Sequence, residues 1–369
     1  MKAGYLGPKL SFSHQAAIDI FTPHSSTLTP NDHSRPEIDI EPQLTFADIF
    51  EKVQSSQLRY GVVPIENSSN GLVVQSLDLL ADGAGKYPDV RVRAEYGLPI
   101  HHQLWVKESA DVDNVQGEDH SHSSDEGMKT ENQQDATKSP ISDPVLITDR
   151  LYTHPQVWSQ CSKFLSHPAY SHVSKQDCAS TSEAARMVAE SRPGSCAAIA
   201  SNLAGNEYGL TRKVCDIEDQ KDNMTRFLVV AREDVDTSWL TSNWPPSHSQ
   251  NKIKDGSAPV TMRYKSMVSF VVDPTSPNAL TKVLNMFSKY DLNLTSINTR
   301  PSRLQRWHYI FVAECERVCH HAHSVQAISK LLADISCIVT CCRHLGTWED
   351  QLRRSSHAVA PDSRQLGTG

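Results

Sequence analysis

The sequence predicts an α/β protein, because strand-like and helix-like segments alternate along most of its 369 residues. Up to about residue 235, apolar runs such as YGVVPIE (60–66) are followed by segments with helical periodicity. That alternation is typical of a mostly parallel sheet covered by helices. From residue 263 to 350 the order becomes βαββαβ, the ferredoxin-like pattern. We therefore expect a large α/β domain followed by a smaller ferredoxin-like one.

Each element is predicted from apolar patterning and from residues that cap helices. The strands predicted in the first part are KAGYLG (2–7), YGVVPIE (60–66), GLPIHHQLWV (97–106) and CAAIAS (196–201). The helices predicted there are SFSHQAAIDIF (11–21), NSSNGLVVQSLDLL (67–80), HPQVWSQCSKFLSH (154–167), STSEAARMVAES (180–191) and the turn NLAGNEYG (202–209). The second part runs MVSFVV (267–272), NALTKVLNMFSKY (278–290), LNLTSINTRP (292–301), RWHYIFVAEC (306–315), VQAISKLLADI (325–335) and CIVTCC (337–342).

Composition excludes several classes of protein. Hydrophobic residues make up 38% of the chain, and no apolar run approaches the ~18 residues that a membrane-spanning helix needs. The N-terminal segment lacks the apolar core of a secretory signal. Nine cysteines, an odd number with scattered spacing, favour free thiols in a reducing compartment, so we expect a cytoplasmic protein. No basic footprint for nucleic acid is present.

The charge of the chain is concentrated in one segment. Residues 108–143 hold ten acidic residues and two lysines, a net charge of −8 in a chain whose total is −7. With no aromatic residues there, we predict a disordered acidic insertion. The stretch 236–262, rich in proline and serine, is predicted to be a linker, and residues 351–369 a flexible tail.

Polar residues follow three predicted strands at points where helices begin. These are the turn from Gly7 to Ser13, the loop with Asn67 and Ser68, and Ser201. Free backbone N–H groups at such places bind carboxylates and phosphates. Three of them in one α/β unit suggest a small anionic ligand in a crevice at the strand ends. The alternative for each residue is that it simply caps a helix.

A fourth segment, Thr225-Arg226-Phe227, lies at the start of a strand. Arg226 can form a two-pronged hydrogen bond with a carboxylate, Thr225 can donate a hydrogen bond, and Phe227 can exclude water. The three residues suit an anionic ligand that carries a ring. The alternative is an ordinary strand that begins with a surface arginine.

A metal site is not predicted. Cys315, Cys319 and His320 could be combined with Cys337, Cys341 and Cys342 into a zinc site, but most of them fall on predicted strands of the second part. Thiols in such positions behave as small apolar groups. His101 and His102 have no suitably spaced partners, so we expect them to be structural.

Taken in order, these segments resemble prephenate dehydratases, the enzymes of phenylalanine biosynthesis. The resemblance rests on GYLGPKLSFSHQAA (4–17), YGVVPIENSSNG (60–71), LPIHHQL (98–104), HPQVWSQCSKFL (154–165), STSEAAR (180–186), AAIASNLAGNEYGL (197–210) and DNMTRFLVV (222–230). The second part resembles the regulatory ACT domain of these enzymes.

The resemblance implies a two-lobed catalytic domain similar to the type 2 periplasmic-binding-protein fold, over residues 1–235. Lobe one would comprise residues 1 to about 98 with 205–235, and lobe two about 99–204, with the active site in the cleft between them. Residues 263–350 would form the ACT domain. A homodimer or homotetramer is expected, with prephenate as substrate and with no cofactor, nucleic acid or membrane.

The resemblance also assigns roles to residues. Thr225 would donate a hydrogen bond to the departing oxygen of prephenate, and Arg226 would clamp a carboxylate. Phe227 would pack on the ring. The residues expected to bind and orient the substrate are Asn67, Ser68, Ser11 and Ser201.

The sequence departs from the family pattern at three places. Leu10 and Ser11 stand where the family has Gly-Thr, so Leu10 must hold a turn that glycine makes easily. PNAL replaces PGAL and INTRP replaces IESRP in the second part. The predicted allosteric L-phenylalanine site comprises Asn278, Ala279, Leu280, Asn298, Thr299, Arg300 and Pro301. We expect L-phenylalanine to bind there and to inhibit the protein, but more weakly than it would with the intact family motifs.

Two alternatives remain at this stage. Arogenate dehydratase acts on the amino-acid form of the same substrate, and nothing in the sequence discriminates the two. A non-catalytic sensor could use both folds to bind small ligands without chemistry. The intact Thr225-Arg226-Phe227 segment favours an enzyme.

Overall fold

The computed structural model describes residues 1–22, 37–108, 149–237, 239–240, 262–303, 306–319 and 321–352. The chain forms two compact units, of which unit 1 comprises Met1–Pro99 with Met224 onward and unit 2 comprises Ile100–Asn223. Most of the predicted acidic insertion (108–143), linker (236–262) and tail (351–369) lies outside the described residues. No helix in the described part is long and apolar enough to span a membrane.

The described elements begin with strands and helices that alternate. The strands are β1 (Lys2–Leu6), β2 (Asp39–Gln43), β3 (Tyr60–Asn67), β4 (Gly71–Leu72), β5 (Val90–Pro99), β6 (Gln103–Val106), β7 (Arg150–Thr153), β8 (Ser174–Asp177), β9 (Cys196–Ala200), β10 (Thr211–Val214), β11 (Met224–Arg232), β12 (Met262–Val272), β13 (Asn293–Pro301), β14 (Tyr309–Cys319) and β15 (Val339–Glu349). The helices are α1 (Phe12–Phe21), α2 (Phe46–Gln54), α3 (Val74–Ala81), α4 (Pro155–Gln160), α5 (Ser162–Leu165), α6 (Thr181–Glu190), α7 (Asn202–Glu207), α8 (Ala279–Lys289) and α9 (His321–Ile335), with a 3-10 turn at Pro168–Tyr170.

Unit 1 is built on one sheet with the strand order β13-β14-β12-β15-β5-β11-β3-β1-β2, and β4 pairs with β3. We call its described residues 1–99 and 224–240 the N-terminal subdomain and residues 262–352 the C-terminal subdomain. Within the N-terminal subdomain only β1 pairs in parallel, with β2 and with β3, whereas β11 is antiparallel to both β3 and β5. The predicted mostly parallel sheet is therefore wrong, because β11 returns from unit 2 and inserts in the opposite direction.

Packing in the N-terminal subdomain follows from sequence. β3 is an almost continuous apolar run, which is typical of a central strand buried on both faces. α2 begins with a capping box, in which Thr45 and Asp48 satisfy each other's backbone N–H groups. Its apolar face, which includes Ile49, Phe50 and Val53, packs in the same core as β3 and β11.

The C-terminal subdomain confirms the predicted βαββαβ order, in the sequence β12, α8, β13, β14, α9, β15. Its strands lie in the ferredoxin-like order β13-β14-β12-β15 and pair antiparallel. Phe270, Val283, Phe287 and Leu331 belong to its buried core. The subdomain is continuous with the rest of the unit 1 sheet through a single parallel pair, Gly346 with Val92.

Unit 2 contains a five-stranded sheet with the order β10-β6-β9-β7-β8. β10 (Thr211–Val214) pairs antiparallel with β6, so residues 205–223 belong to unit 2. The predicted return to lobe one near residue 205 is therefore wrong, and the return begins at Met224. The short β10 carried too little apolar pattern to be assigned from sequence.

Candidate active site

Thr225 lies on β11 between two neighbouring strands of unit 1. Its backbone is opposite Leu98 of β5 on one side and opposite Asn67 of β3 on the other. The residue is half-buried. Two neighbouring strands therefore flank the backbone that carries the predicted catalytic hydroxyl.

Asn67 orients the Thr225 hydroxyl. The Nδ2 of Asn67 donates to Thr225 Oγ1 at 3.0 Å and to the carbonyl of Met224 at 3.2 Å. Its Oδ1 accepts from the backbone N–H groups of Ser69 and Asn70, at 3.0 and 2.9 Å. Because these N–H groups can only donate, the amide must present its own N–H to Thr225. The threonine oxygen is thus an acceptor here, and its proton is available to another group.

Ser68 ties the loop after β3 to β11. Its backbone N–H donates to the carbonyl of Met224, and its Oγ accepts from Met224 N–H, both at 2.9 Å. Asn67 and Ser68 together hold the residue that precedes Thr225. Three of the predicted site residues, Asn67, Ser68 and Thr225, therefore lie next to one another.

Ser11 is the N-cap of α1, and its Oγ accepts from His14 N–H at 3.3 Å. Leu10 before it has φ 67°, the left-handed conformation that the sequence required of it. That conformation costs a non-glycine residue roughly 1–2 kcal/mol. The Leu10 N–H donates to His14 Nδ1 at 3.0 Å, which stabilises the turn.

Arg226 has two protein carboxylates as partners. Its Nη2 lies 2.7 Å from Glu95 Oε2 and 2.8 Å from Glu314 Oε2, and its side chain is 12% exposed. Burial alone would lower the pKa of Arg226, but the two carboxylates outweigh it and raise that pKa. The guanidinium is already paired with the Glu95 and Glu314 carboxylates. We therefore revise the prediction that Arg226 clamps a carboxylate of the substrate.

Glu95 also anchors a lysine of the C-terminal subdomain. Lys265 Nζ lies 2.9 Å from Glu95 Oε1 and 3.2 Å from Asp350 Oδ1. Sequence analysis did not identify Glu95 and Glu314, the two acidic partners of Arg226. The available signal was an acidic residue inside an apolar strand, as in VRVRAEYGLP (90–99) and YIFVAEC (309–315), because such a charge needs a partner when it is buried.

Two further predicted residues lie in buried positions. Phe227 is 1% exposed, and its ring is part of the protein core. We therefore revise the prediction that it packs on a substrate ring. Ser201, in unit 2, is buried and caps α7 by accepting from Ala204 N–H at 3.2 Å, which matches the structural alternative stated for it.

The residues predicted to bind L-phenylalanine lie on α8 and β13, which pack against each other. Asn278 is exposed, adopts φ 59° and immediately precedes α8, whereas Ala279 is buried. Asn298 donates to Ser296 Oγ at 2.9 Å. Arg300 is paired with Asp78 of α3, at 2.5 Å from Nε to Oδ1. Leu280, partly buried, packs against the core of the C-terminal subdomain, and Thr299 and Pro301 are exposed.

One cluster among the described residues has metal-ligand composition, namely His101, Asp216 and Glu218. His101 pairs with both carboxylates, since its Nδ1 lies 3.0 Å from Glu218 Oε1 and 3.5 Å from Asp216 Oδ1. The other oxygen of Glu218 accepts from His102 N–H at 2.9 Å. Mutual pairing explains the cluster. The cysteines whose side chains are described are all free thiols.

Together these features define an α/β protein that presents an oriented threonine hydroxyl at the start of a strand, with a ferredoxin-like subdomain attached to the same sheet. A family model described as prephenate dehydratase matches residues 3–124 and 142–235, more than half of the chain. The chain belongs to the prephenate dehydratase family.

Relatives of known name agree with this assignment. The bifunctional chorismate mutase/prephenate dehydratase of Aquifex aeolicus (strain VF5) is 28% identical over 316 residues, which are 86% of this chain and 66% of that protein. The chain thus spans about two thirds of the length of such bifunctional relatives. The probable prephenate dehydratase of Saccharomyces cerevisiae is 28% identical over 345 residues, 84% of this chain and 85% of that protein.

A solved structure shares the fold. It is the prephenate dehydratase from Arthrobacter aurescens in complex with L-Phe, with a TM-score of 0.64 and 22% identity. The alignment covers 98% of this chain and 94% of that chain. The likeness extends over both subdomains of unit 1 and over unit 2.

Proposed function

We propose that this protein is a prephenate dehydratase that converts prephenate to phenylpyruvate, carbon dioxide and water. The observation that carries the proposal is the hydrogen bond from Asn67 Nδ2 to Thr225 Oγ1. It leaves the hydroxyl proton of Thr225 directed away from Asn67. In the described part of the chain that proton meets no acceptor, so a substrate oxygen can take this place.

The reaction needs little more than such a donor. In prephenate the bond to the ring carboxylate breaks, and its electron pair completes the aromatic ring as the ring C–O bond breaks. Hydroxide departs, takes up one proton from solvent and leaves as water, while the carboxylate leaves as carbon dioxide. Because aromatisation drives the step, the protein has to stabilise the departing oxygen.

Thr225 would supply this stabilisation. Threonine is a weak acid, so its role is to donate a hydrogen bond to the developing oxyanion. A group so placed contributes roughly 10²–10⁴-fold to a rate. Ser68 and Ser11, both accessible, are the proposed residues that orient the substrate, and Asn67 acts through the orientation of Thr225.

We propose that the C-terminal subdomain is a regulatory ACT domain. The exposed Asn278 and the half-exposed Asn298 and Arg300 would bind L-phenylalanine, with Ala279, Leu280, Thr299 and Pro301 around them. A second chain would complete this site. The edge strand β13 and the exposed Ile297 and Tyr309 support association of the chain as a homodimer or homotetramer.

The free thiols support the predicted cytoplasmic location. Free thiols persist in compartments where cysteines are kept reduced. Labelling of the folded and the denatured protein with a thiol reagent after rapid lysis would test this. Extensive oxidation on isolation would contradict it.

The direct test is an assay of the purified full chain with prephenate, in which phenylpyruvate is followed by its absorbance in alkali. We expect turnover, and loss of that turnover in Thr225→Ala. Arogenate is the control substrate, and phenylalanine formation from it alone would make the protein an arogenate dehydratase. Absence of product from both substrates, with a folded protein, would overturn the proposal.

A further inference from the structure

We propose that Glu314 of the C-terminal subdomain is a positioning residue for Thr225, and that it acts through Arg226. The inference rests on the proposed function, since it assigns a role in the same reaction. It means that the ferredoxin-like subdomain supports part of the active site. No residue of that subdomain was predicted to contribute to it.

The contact between the two subdomains is direct and buried. Arg226 Nη2 lies 2.8 Å from Glu314 Oε2, and the Glu314 side chain is 8% exposed. On the other side, Arg226 Nε donates to Glu95 Oε2 at 2.8 Å, and Glu95 is fully buried. One guanidinium is therefore held between a carboxylate of each subdomain.

Glu314 is itself held in place. It lies on β14, where its backbone is opposite Met267 of β12 and Ser296 of β13. Thr295 Oγ1 lies 3.3 Å from Glu314 Oε1, so one carboxylate oxygen faces Thr295 and the other faces Arg226. These two contacts orient the carboxylate toward Arg226.

Arg226 and Thr225 are neighbours on one strand, so their side chains point to opposite faces of the sheet. The pairing of β11 with β3 shifts register directly after Arg226, and an irregularity of this kind leaves the strand less constrained on that side. The ion pairs of Arg226 therefore fix the strand on one face while Thr225 points from the other. Loss of one carboxylate would let the backbone shift and misdirect the hydroxyl.

A buried arginine reacts strongly to the loss of a partner. With Glu314 neutralised, Arg226 retains Glu95, but Glu95 is shared with Lys265. The guanidinium would move to satisfy its remaining donors, because a buried charge without full compensation is costly. Misplacement of a catalytic group by about 1 Å can reduce a rate ~100-fold.

The test uses Glu314→Gln in the full chain, with Glu316→Gln as a matched control. Glu316 lies two residues further along β14, is also buried, and pairs with Arg263 and Asn293 instead of Arg226. We expect Glu314→Gln to lower kcat roughly 10- to 100-fold with KM changed less than about threefold. Glu316→Gln should leave kcat within about threefold of wild type, and Glu314→Asp should recover part of the loss.

A second experiment distinguishes an effect on the position of Thr225 from a general loss of structure in the active site. In a Thr225→Ala background the hydroxyl is absent, so Glu314→Gln should lower the remaining rate by less than about threefold. An equal loss in both backgrounds would overturn the inference, as would equal losses of kcat in Glu314→Gln and Glu316→Gln.

A third arm does not depend on activity. In protein labelled with ¹³C at threonine methyl groups, the Thr225 resonance, assigned by its loss in Thr225→Ala, should shift in Glu314→Gln and stay in place in Glu316→Gln. An unmoved Thr225 methyl in Glu314→Gln would overturn the inference even if the protein turned over another substrate. A wild type that is inactive toward prephenate would remove the proposed function, and the methyl shifts would still decide the role of Glu314.

Discussion

Arg300 makes a two-pronged ion pair with Asp78, with Nε 2.5 Å from Oδ1 and Nη2 3.1 Å from Oδ2. The pair joins the end of β13 in the C-terminal subdomain to α3 in the N-terminal subdomain. The hydrogen bonds from Arg300 hold the pKa of Asp78 below its usual value. A residue proposed to bind L-phenylalanine is thus also a contact between the two subdomains.

The first prediction concerns this contact. Asp78→Asn should raise the concentration of L-phenylalanine needed for half-inhibition at least about threefold, because Arg300 loses a charged partner that links it to the N-terminal subdomain. Arg303→Gln is the matched control, since Arg303 also contacts Asp78 but is 75% exposed. Inhibition curves for the two variants provide the measurement. Identical curves for Asp78→Asn and wild type would count against this coupling.

Thr225→Ala should reduce kcat by at least ~10²-fold while KM changes little, because the proposed hydrogen bond from its hydroxyl strengthens mainly as the oxygen departs. Thr225→Ser keeps the hydroxyl and should retain most of the rate. Steady-state kinetics with prephenate would test both variants. Near-wild-type turnover of the alanine variant would remove Thr225 from the mechanism.

Asn67→Asp reverses a hydrogen bond without changing the shape of the side chain. A carboxylate next to Thr225 can only accept, so the hydroxyl would donate to residue 67 and not to the substrate. We expect kcat to fall roughly 10²-fold, as for loss of the hydroxyl. Asn70→Asp places the same charge in the same loop and is the control. A similar loss in both variants would mean that charge, not hydroxyl orientation, causes the effect.

Asn278→Gly combined with Asn298→Glu should bind L-phenylalanine more tightly than wild type. Glutamate would restore a charged partner for the ammonium group, worth about 1 kcal/mol, or five- to tenfold in affinity. Glycine fits the φ of 59° at position 278 without a side chain. Calorimetric titration of both proteins is the measurement, and the single variants apportion the gain. Equal affinities would show that the two departures do not matter.

The buried His344 should make the free energy of unfolding depend on pH. Burial, with a smaller contribution from Arg91, lowers the pKa of His344 from 6.5 to about 4. Between those values the unfolded chain binds a proton that the folded protein excludes, so the free energy of unfolding falls as pH drops from 6.5 to about 4. His344→Gln should flatten this slope. Denaturant titrations at several pH values would reveal it, and an unchanged slope would contradict the assignment.

The sequence predicted local features better than long-range ones. The βαββαβ order and the left-handed turn at Leu10 followed from periodicity and motif. The partners of Arg226 did not, because Glu95 and Glu314 lie far from it in the chain and only strand pairing brings them together. The same limitation affected the direction of β11, whereas β10 was missed because its four residues carry too little apolar pattern. The motif Thr225-Arg226-Phe227 alternates along a strand, so its members do not share one surface.

Gly346 meets Val92 where the two subdomains share a sheet, and a Cβ on Gly346 would lie 2.1 Å from the Val92 carbonyl oxygen. Its φ of 144° also favours glycine. A ferredoxin-like module grafted here from another protein would therefore need a glycine at this position, an acidic residue at the position of Glu314 and a basic residue at the position of Lys265. The C-terminal subdomain is therefore not an interchangeable attachment, and chimeras that ignore this junction should fail even when both halves fold alone.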